Sequence, residues 1–237
     1  MFKTFFCYFL AWAYIIITLP VLLRVIYLDK KGRAEKRDRL ADNYSIKFAR
    51  RLFKFTGSTL RISGLENVPR DIPVLFVSNH QSHVDNLIIH GFIDVPKGFV
   101  SITEMLKVPI LRTMMKYMKC VFLDRSDIRQ TLHCMEAAVE ILKSGHSMVI
   151  FPEGRVNEDG VLSEFKKGCL KLAIRAGVPI VPITLRNTHK VMNKDGSRIF
   201  AADVECIISP QVSTNVSGKA DETLLIEKAR NIIYQNL

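Results

Sequence analysis

The sequence predicts an α/β fold: a mainly parallel, helix-covered sheet, with an N-terminal membrane-associated helix and an adjoining amphipathic helix ahead of it. Three observations predict it. Strand-like and helix-like patterns alternate along most of the 237 residues, the signature of parallel strands joined by crossover helices. Several apolar runs stop abruptly at polar, chemically capable residues, and open α/β sheets bind ligands beyond the carboxyl ends of their strands. Residues 4–23 carry no charge, about the length a helix needs to span a bilayer core.

Taken in order, residues 1–28 read as a membrane helix. A cleaved signal peptide is disfavoured, because the run is long, aromatic-rich and lacks a small-x-small cleavage pattern. Pro20 lies inside the run and permits a kink, so a re-entrant or interfacial helix stays open. Residues 29–40 form a charged connector. Residues 24–54 hold eleven Lys and Arg against four Asp and Glu, and only Lys3 precedes the apolar run. The positive-inside rule then places the bulk of the chain on the cytoplasmic face of a cell membrane. The basic cluster also suits an anionic membrane surface. No recognition-helix or aromatic-platform signature accompanies it, which argues against nucleic acid as a partner. Over 45–56, Ile46, Phe48, Ala49, Leu52, Phe53 and Phe55 interleave with Lys47, Arg50, Arg51 and Lys54. That pattern is a basic amphipathic helix, fit to lie on a membrane or to dock on the globular domain.

Gly57 ends that helix, dividing the chain into an anchoring segment over 1–56 and an α/β domain over 57–237. Strands are expected at 59–63, 73–78, 98–102, 120–123, 147–151, 180–185 and 203–208. Helices are expected at 84–91, 103–118, 127–143, 165–176 and 221–236, with a polar loop over 211–220. The five cysteines are odd in number and irregularly spaced, with no C-x-x-C. They suggest neither a disulfide framework nor a zinc knuckle.

Three strand ends carry the chemistry. The run Val74-Leu75-Phe76-Val77-Ser78 opens into Asn79-His80-Gln81-Ser82-His83-Val84-Asp85. His80 and Asp85 are five residues apart, roughly 140° of arc on one continuous helix. They meet only if His80 lies on a loop that turns into a helix, and Ser82 is a good N-cap for such a turn. Asp85 then either fixes the imidazole tautomer, as a triad carboxylate does, or merely completes a capping box. Zinc held by His80 and His83 lacks a third ligand, so no metal is expected. His90, His133, His146 and His189 have no comparable partners and read as structural or surface residues. An alcohol is far too weak an acid to ionise outright against an imidazole, so such a histidine acts by general-base catalysis during attack.

Cations gather at the other two ends. Val121-Phe122-Leu123 runs into Asp124-Arg125, and Met148-Val149-Ile150-Phe151 runs into Pro152-Glu153-Gly154-Arg155. Arginine grips phosphate bidentately, and Gly154 permits close backbone approach to a ligand. Lys166 and Lys167 open the next helical pattern. Cations beside a histidine base suggest an anionic substrate that bears a hydroxyl.

Residues 57–210 resemble the 1-acylglycerol-3-phosphate O-acyltransferase family of glycerolipid acyltransferases. Asn79-His80 with Asp85 matches that family's N-H-x4-D signature. Val121-Phe122-Leu123-Asp124-Arg125 resembles its second block, Phe151-Pro152-Glu153-Gly154 its third, and Val178-Pro179-Ile180-Val181-Pro182-Ile183 its fourth. Phe165-Lys166-Lys167-Gly168 has the family look as well. The chain departs from the pattern at two places: Arg155 directly follows Gly154 where the family often has Thr then Arg, and a lysine common before the equivalent of Glu104 is missing. The resemblance implies transfer of a fatty acyl group to the sn-2 hydroxyl of a membrane lysophosphatidate, making phosphatidic acid. The co-substrate is a thioester of coenzyme A or of an acyl carrier protein, and no other cofactor is implied. His80 would be the base and Asp85 its orienting partner. Asn79, Arg125, Glu153, Gly154, Arg155, Lys166 and Lys167 would bind substrate. Glycerol 3-phosphate or another lysophospholipid as acceptor, and a catalytically inactive membrane-surface module, are the alternatives.

Overall fold

The computed structural model describes residues 2–237 except 108, 125, 126, 158, 194, 216 and 217. Helix α1 (Phe2–Lys30) and helix α2 (Ala34–Phe55) form an antiparallel hairpin ahead of the sheet domain. The domain then runs β1 (Thr59–Ser63), β2 (Leu75–Ser78), α3 (Val84–Phe92), β3 (Lys97–Ile102), α4 (Pro109–Tyr117) and β4 (Val121–Leu123). It continues through α5 (Ile128–Lys143), β5 (Ser147–Ile150), α6 (Lys171–Ala176), β6 (Ile180–Arg186), β7 (Asp203–Ile208) and α7 (Lys219–Gln235).

The seven strands lie in the order β1-β7-β6-β2-β5-β3-β4. Every neighbouring pair is parallel except β6 with β7. Central strands need apolar side chains on both faces, because helices cover both. β2 shows this: Leu75 and Val77 enter the core beneath α5, α6 and α7, while Phe76 enters the opposite core with Val84, Ile88 and Ile89 of α3 and Phe53 of α2. Asp127 starts α5, its carboxylate accepting from the amides of Arg129 at 2.9 Å and Gln130 at 3.1 Å. That pairing satisfies donors a helix N-terminus otherwise leaves open.

All seven expected strands form. The helices differ in extent. α2 begins at Ala34, so most of the supposed connector is helical, its Arg37 paired with Asp29 at 2.6 Å and with Asp38 at 2.7 Å. The helix expected over 103–118 is split into a 3-10 turn, Thr103–Lys107, and α4, which starts at Pro109. Proline suits a first helical turn and breaks an interior one. The helix expected over 165–176 is regular only from Lys171, with turns over 167–170 ahead of it.

α1 runs unbroken through Pro20. One side packs on α2 and α4, in a cluster of Leu22, Tyr44, Phe48 and Met114. Tyr14 stacks on Phe48 at 5.6 Å, and Thr18 Oγ1 lies 3.0 Å from the Tyr44 hydroxyl. The other side leaves Phe5, Phe6, Phe9, Trp12, Ile16, Ile17 and Leu23 exposed. The helix is long and apolar enough to cross a membrane by length and composition.

Three bases, Lys97, His90 and His146, lie buried near the amino ends of the strands. Lys97 is fully buried, its ammonium donating to Ile93 O at 2.5 Å and Val95 O at 2.8 Å. Burial pushes Lys97 down to about 7 and His90 down to about 3. Each binds its proton more weakly folded than unfolded, so folding stability falls as pH drops from the unfolded value towards the folded one. For His90 that window runs from 6.5 down to about 3. The share of His90 in the expected loss between pH 7 and pH 4.5 is about 2–3 kcal/mol, and His146, which burial pushes down to about 4, adds its own. Urea midpoints of the wild type against His90→Leu check it, the variant losing less.

Candidate active site

β2 and β5 are neighbours in register, Val77 opposite Ile150. Their carboxyl ends therefore deliver His80 and the turn that begins at Phe151 to the same edge. The His80 ring stacks on the Phe151 ring, centroids 4.0 Å apart and planes 17° from parallel. Glu153 Oε1 accepts the His80 amide at 2.8 Å, and the Asn157 amide donates to His80 O at 2.8 Å. The backbone of the histidine is clamped from both sides by one loop.

Asp85 sits in the first turn of α3 and is fully buried. Its Oδ2 accepts from His80 Nδ1 at 2.7 Å, the Gln81 amide at 2.7 Å and the Ser82 amide at 2.9 Å. Both sequence alternatives are thus realised on one oxygen: it closes the helix start and it faces the imidazole. The cap position itself falls on His83 rather than on Ser82 and uses no side-chain cap. A carboxylate only accepts, so Nδ1 carries the shared proton. Nε2 is left with a lone pair and no partner among the described residues.

The expected substrate-binding residues fall into distinct places. Asn79 is buried, its amide donating to Leu185 O at 2.8 Å and accepting from Leu185 N at 2.8 Å. It extends the β2–β6 ladder by one side chain and braces the base rather than facing solvent. Glu153 is buried as well, and both its oxygens serve protein donors: Oε2 takes the Ser163 amide at 2.7 Å and the Asn157 side chain. Burial raises its carboxyl above the ordinary value against the pull of those bonds. Its three protein donors, one on Oε1 and two on Oε2, make it a brace between the loops and leave an acceptor site on Oε1.

Gly154 adopts φ 67°, and a Cβ there would meet Lys166 Cε at 2.7 Å. Glycine is required both for that backbone and to let the lysine stem lie across the turn. Lys166 and Lys167 are exposed beside it. Arg155 is exposed too, its Nη2 3.2 Å from Ser163 Oγ. Arg125 lies outside the described residues; the strand before it, β4, is separated from β2 by β5 and β3.

Sequence reasoning missed a second layer. Gln81 Nε2 donates to Gly160 O at 3.4 Å, which turns its Oε1 towards Thr188 Oγ1 at 3.3 Å and His189 Nδ1 at 3.2 Å. His189, expected as a structural or surface residue, stands beside the loop that carries His80. Burial and then Lys190 lower its pKa. No spacing signal links Gln81 to residues over a hundred positions away; only the adjacency of β2 and β6 does.

The sequence model of the acyltransferase family matches residues 59–186, more than half of the chain, a range that includes all four sequence blocks named above. The chain belongs to the acyltransferase family. A 1-acyl-sn-glycerol-3-phosphate acyltransferase of Brassica napus chloroplasts is 38% identical to this acyltransferase over 180 residues, 74% of the chain and 50% of the relative. The chain spans about half the length of that relative and of its Arabidopsis thaliana counterpart, 50% and 49%. A protein of Mycoplasma genitalium described as a probable 1-acyl-sn-glycerol-3-phosphate acyltransferase is 32% identical, covering 98% of the chain and 94% of that protein. The 1-acyl-sn-glycerophosphate acyltransferase of Thermotoga maritima superposes with a TM-score of 0.85 at 28% identity, covering 99% of this chain and 93% of that one.

Glu153→Gln tests the brace. It leaves an amide donor facing donors, and the lost charge-assisted bonds correspond to a fall in kcat of about tenfold or more. The KM for the acyl acceptor is expected to stay within about twofold, since the residue shapes the His80 loop. Steady-state kinetics separate this from a ligand role, which would raise KM instead.

Proposed function

We propose that the protein transfers a fatty acyl group from an acyl thioester to the sn-2 hydroxyl of 1-acylglycerol 3-phosphate, yielding phosphatidic acid. The observation that carries this is the His80 ring, held at Nδ1 by a buried carboxylate and left with Nε2 open at a strand-end edge that also bears exposed cations. Nε2 takes the hydroxyl proton as the oxygen attacks the thioester carbonyl. The tetrahedral intermediate collapses, the carbon–sulfur bond breaks, and the imidazolium returns the proton to the leaving thiolate. Asp85 stays ionised throughout and stabilises the imidazolium. Lys166, Lys167 and Arg155 are the cations nearest the turn for the acceptor phosphate, with coenzyme A and an acyl carrier protein as the two candidate donors.

The acceptor is a membrane lipid, and the α1–α2 hairpin suits the enzyme to meet it there. α2 carries many charges, among them Arg37, Arg39, Lys47, Arg50, Arg51 and Lys54, and packs along α1. A spanning α1 would carry those charges into hydrocarbon, where each costs several kcal/mol at the centre. The hairpin instead seats the aromatic face of α1 in one leaflet and holds α2 at the headgroups. The basic cluster favours the anionic cytoplasmic leaflet.

His80→Ala is expected to lower acyl transfer to lysophosphatidate at least a thousandfold, with vesicle binding unchanged. Mass-resolved product from thioester and acceptor in mixed micelles is the measurement. Near-normal turnover in the variant would overturn the assignment of the base.

A further inference from the structure

We propose that Thr4 and Tyr8, in the first turns of the membrane helix, are positioning residues for His80. The inference rests on the acyl-transfer reading and adds to it the path by which the lipid-facing helix reaches the base. Residues 187–193 and 195–200 form a strap between the two, its halves joined by the Asn193–Gly196, Asn193–Arg198 and Val191–Phe200 hydrogen bonds. At its outer end the Ile199 amide donates to Thr4 Oγ1 at 3.0 Å, and the Tyr8 hydroxyl donates to Gly196 O at 2.6 Å. Gly196 is matched to that contact: its φ is 71°, and a Cβ there would lie 3.0 Å from the Tyr8 hydroxyl. Cys7, between them in sequence, donates its Sγ–H to Phe55 O at 3.1 Å, so the same turns of α1 are also fastened to the end of α2.

The strap is braced internally. The Gly196 amide donates to Asn193 O at 2.9 Å, the Arg198 amide to Asn193 Oδ1 at 2.8 Å, and the Phe200 amide to Val191 O at 2.8 Å. Val191 anchors it in the core with no exposed surface. A strap stiffened in this way transmits a displacement of one end to the other.

Its inner end grips the catalytic loop. Ser82 Oγ donates to Met192 O at 3.1 Å, and Gln81 Oε1 receives Thr188 and His189. Gln81 and Ser82 are the two residues whose amides fix Asp85 Oδ2 beside the His80 ring. Moving the strap moves those amides, and with them the carboxylate that orients the base. Sub-ångström misplacement of a catalytic group costs rate without costing binding.

The test is the Thr4→Val/Tyr8→Phe double variant, which deletes both hydroxyls and keeps the apolar volume. It is assayed with acyl-CoA and a short-chain, water-soluble lysophosphatidate, so that lipid extraction is not measured. The expected result is a fall in kcat of about tenfold, with the KM for acyl-CoA, co-sedimentation with anionic vesicles and the thermal midpoint all unchanged. Thr4→Ser, which keeps the acceptor oxygen, retains wild-type kcat. Gly196→Ala, which forces the strap off the tyrosine, reproduces the loss. Wild-type kcat in the double variant overturns the inference alone. So does a loss matched by lost vesicle binding or a lower midpoint. Absence of turnover in the wild-type chain sinks the acyl-transfer reading, and this inference with it.

Discussion

Oδ2 of Asp85, a fully buried residue, accepts the His80 ring and two successive backbone amides. A buried ionised carboxylate is tolerable only when hydrogen-bonded, and here the amides that make it tolerable belong to the loop carrying the base. The solvation of the acid and the orientation of the histidine are one interaction. Removing either amide contact would loosen the ring as well as expose the cost of the charge.

The sheet makes that interaction useful. β2 lies between β6 and β5, so the His80 loop is flanked by the loops that follow both neighbours. Each neighbour supplies a brace: Leu185 of β6 holds Asn79, while Glu153, after β5, holds the His80 amide. Two residues that resemble ligand groups in sequence therefore serve as struts. The exposed cations Lys166, Lys167 and Arg155 follow those struts in the chain. Polarity at the site is graded, with hydrogen-bonded buried carboxylates inside and exposed positive charge outside, so the field at its rim favours anions.

The hairpin of α1 and α2 solves a different problem by the same economy. α1 spends one side on α2 and keeps a broad aromatic and aliphatic side unpaired. α2 spends its apolar stripe twice, on α1 through Phe48 and on the domain through Phe53, and Arg50 Nε donates to Gly91 O of α3. Since α3 carries Asp85 at its other end, the helical hairpin and the carboxylate that faces His80 share one packed layer.

By itself the sequence determined the α/β class, all seven strands, the apolar N-terminal helix and the pairing candidates His80 and Asp85, because these rest on local signals: a two-residue alternation or apolar run, a charge-free stretch, a short spacing. It misjudged helix starts at Ala34, Pro109 and Lys171, where tertiary packing extends or turn geometry shortens a helical pattern. Only the tertiary structure decided that Asn79 and Glu153 are braces, that His189 stands beside the loop that carries His80, and that Thr4 and Tyr8 reach the strap at 196–199. Those contacts join segments separated by 73 to 195 positions. Nothing in local periodicity encodes which loops a sheet will set side by side; strand order does, and strand order is fixed by the burial of the whole sheet.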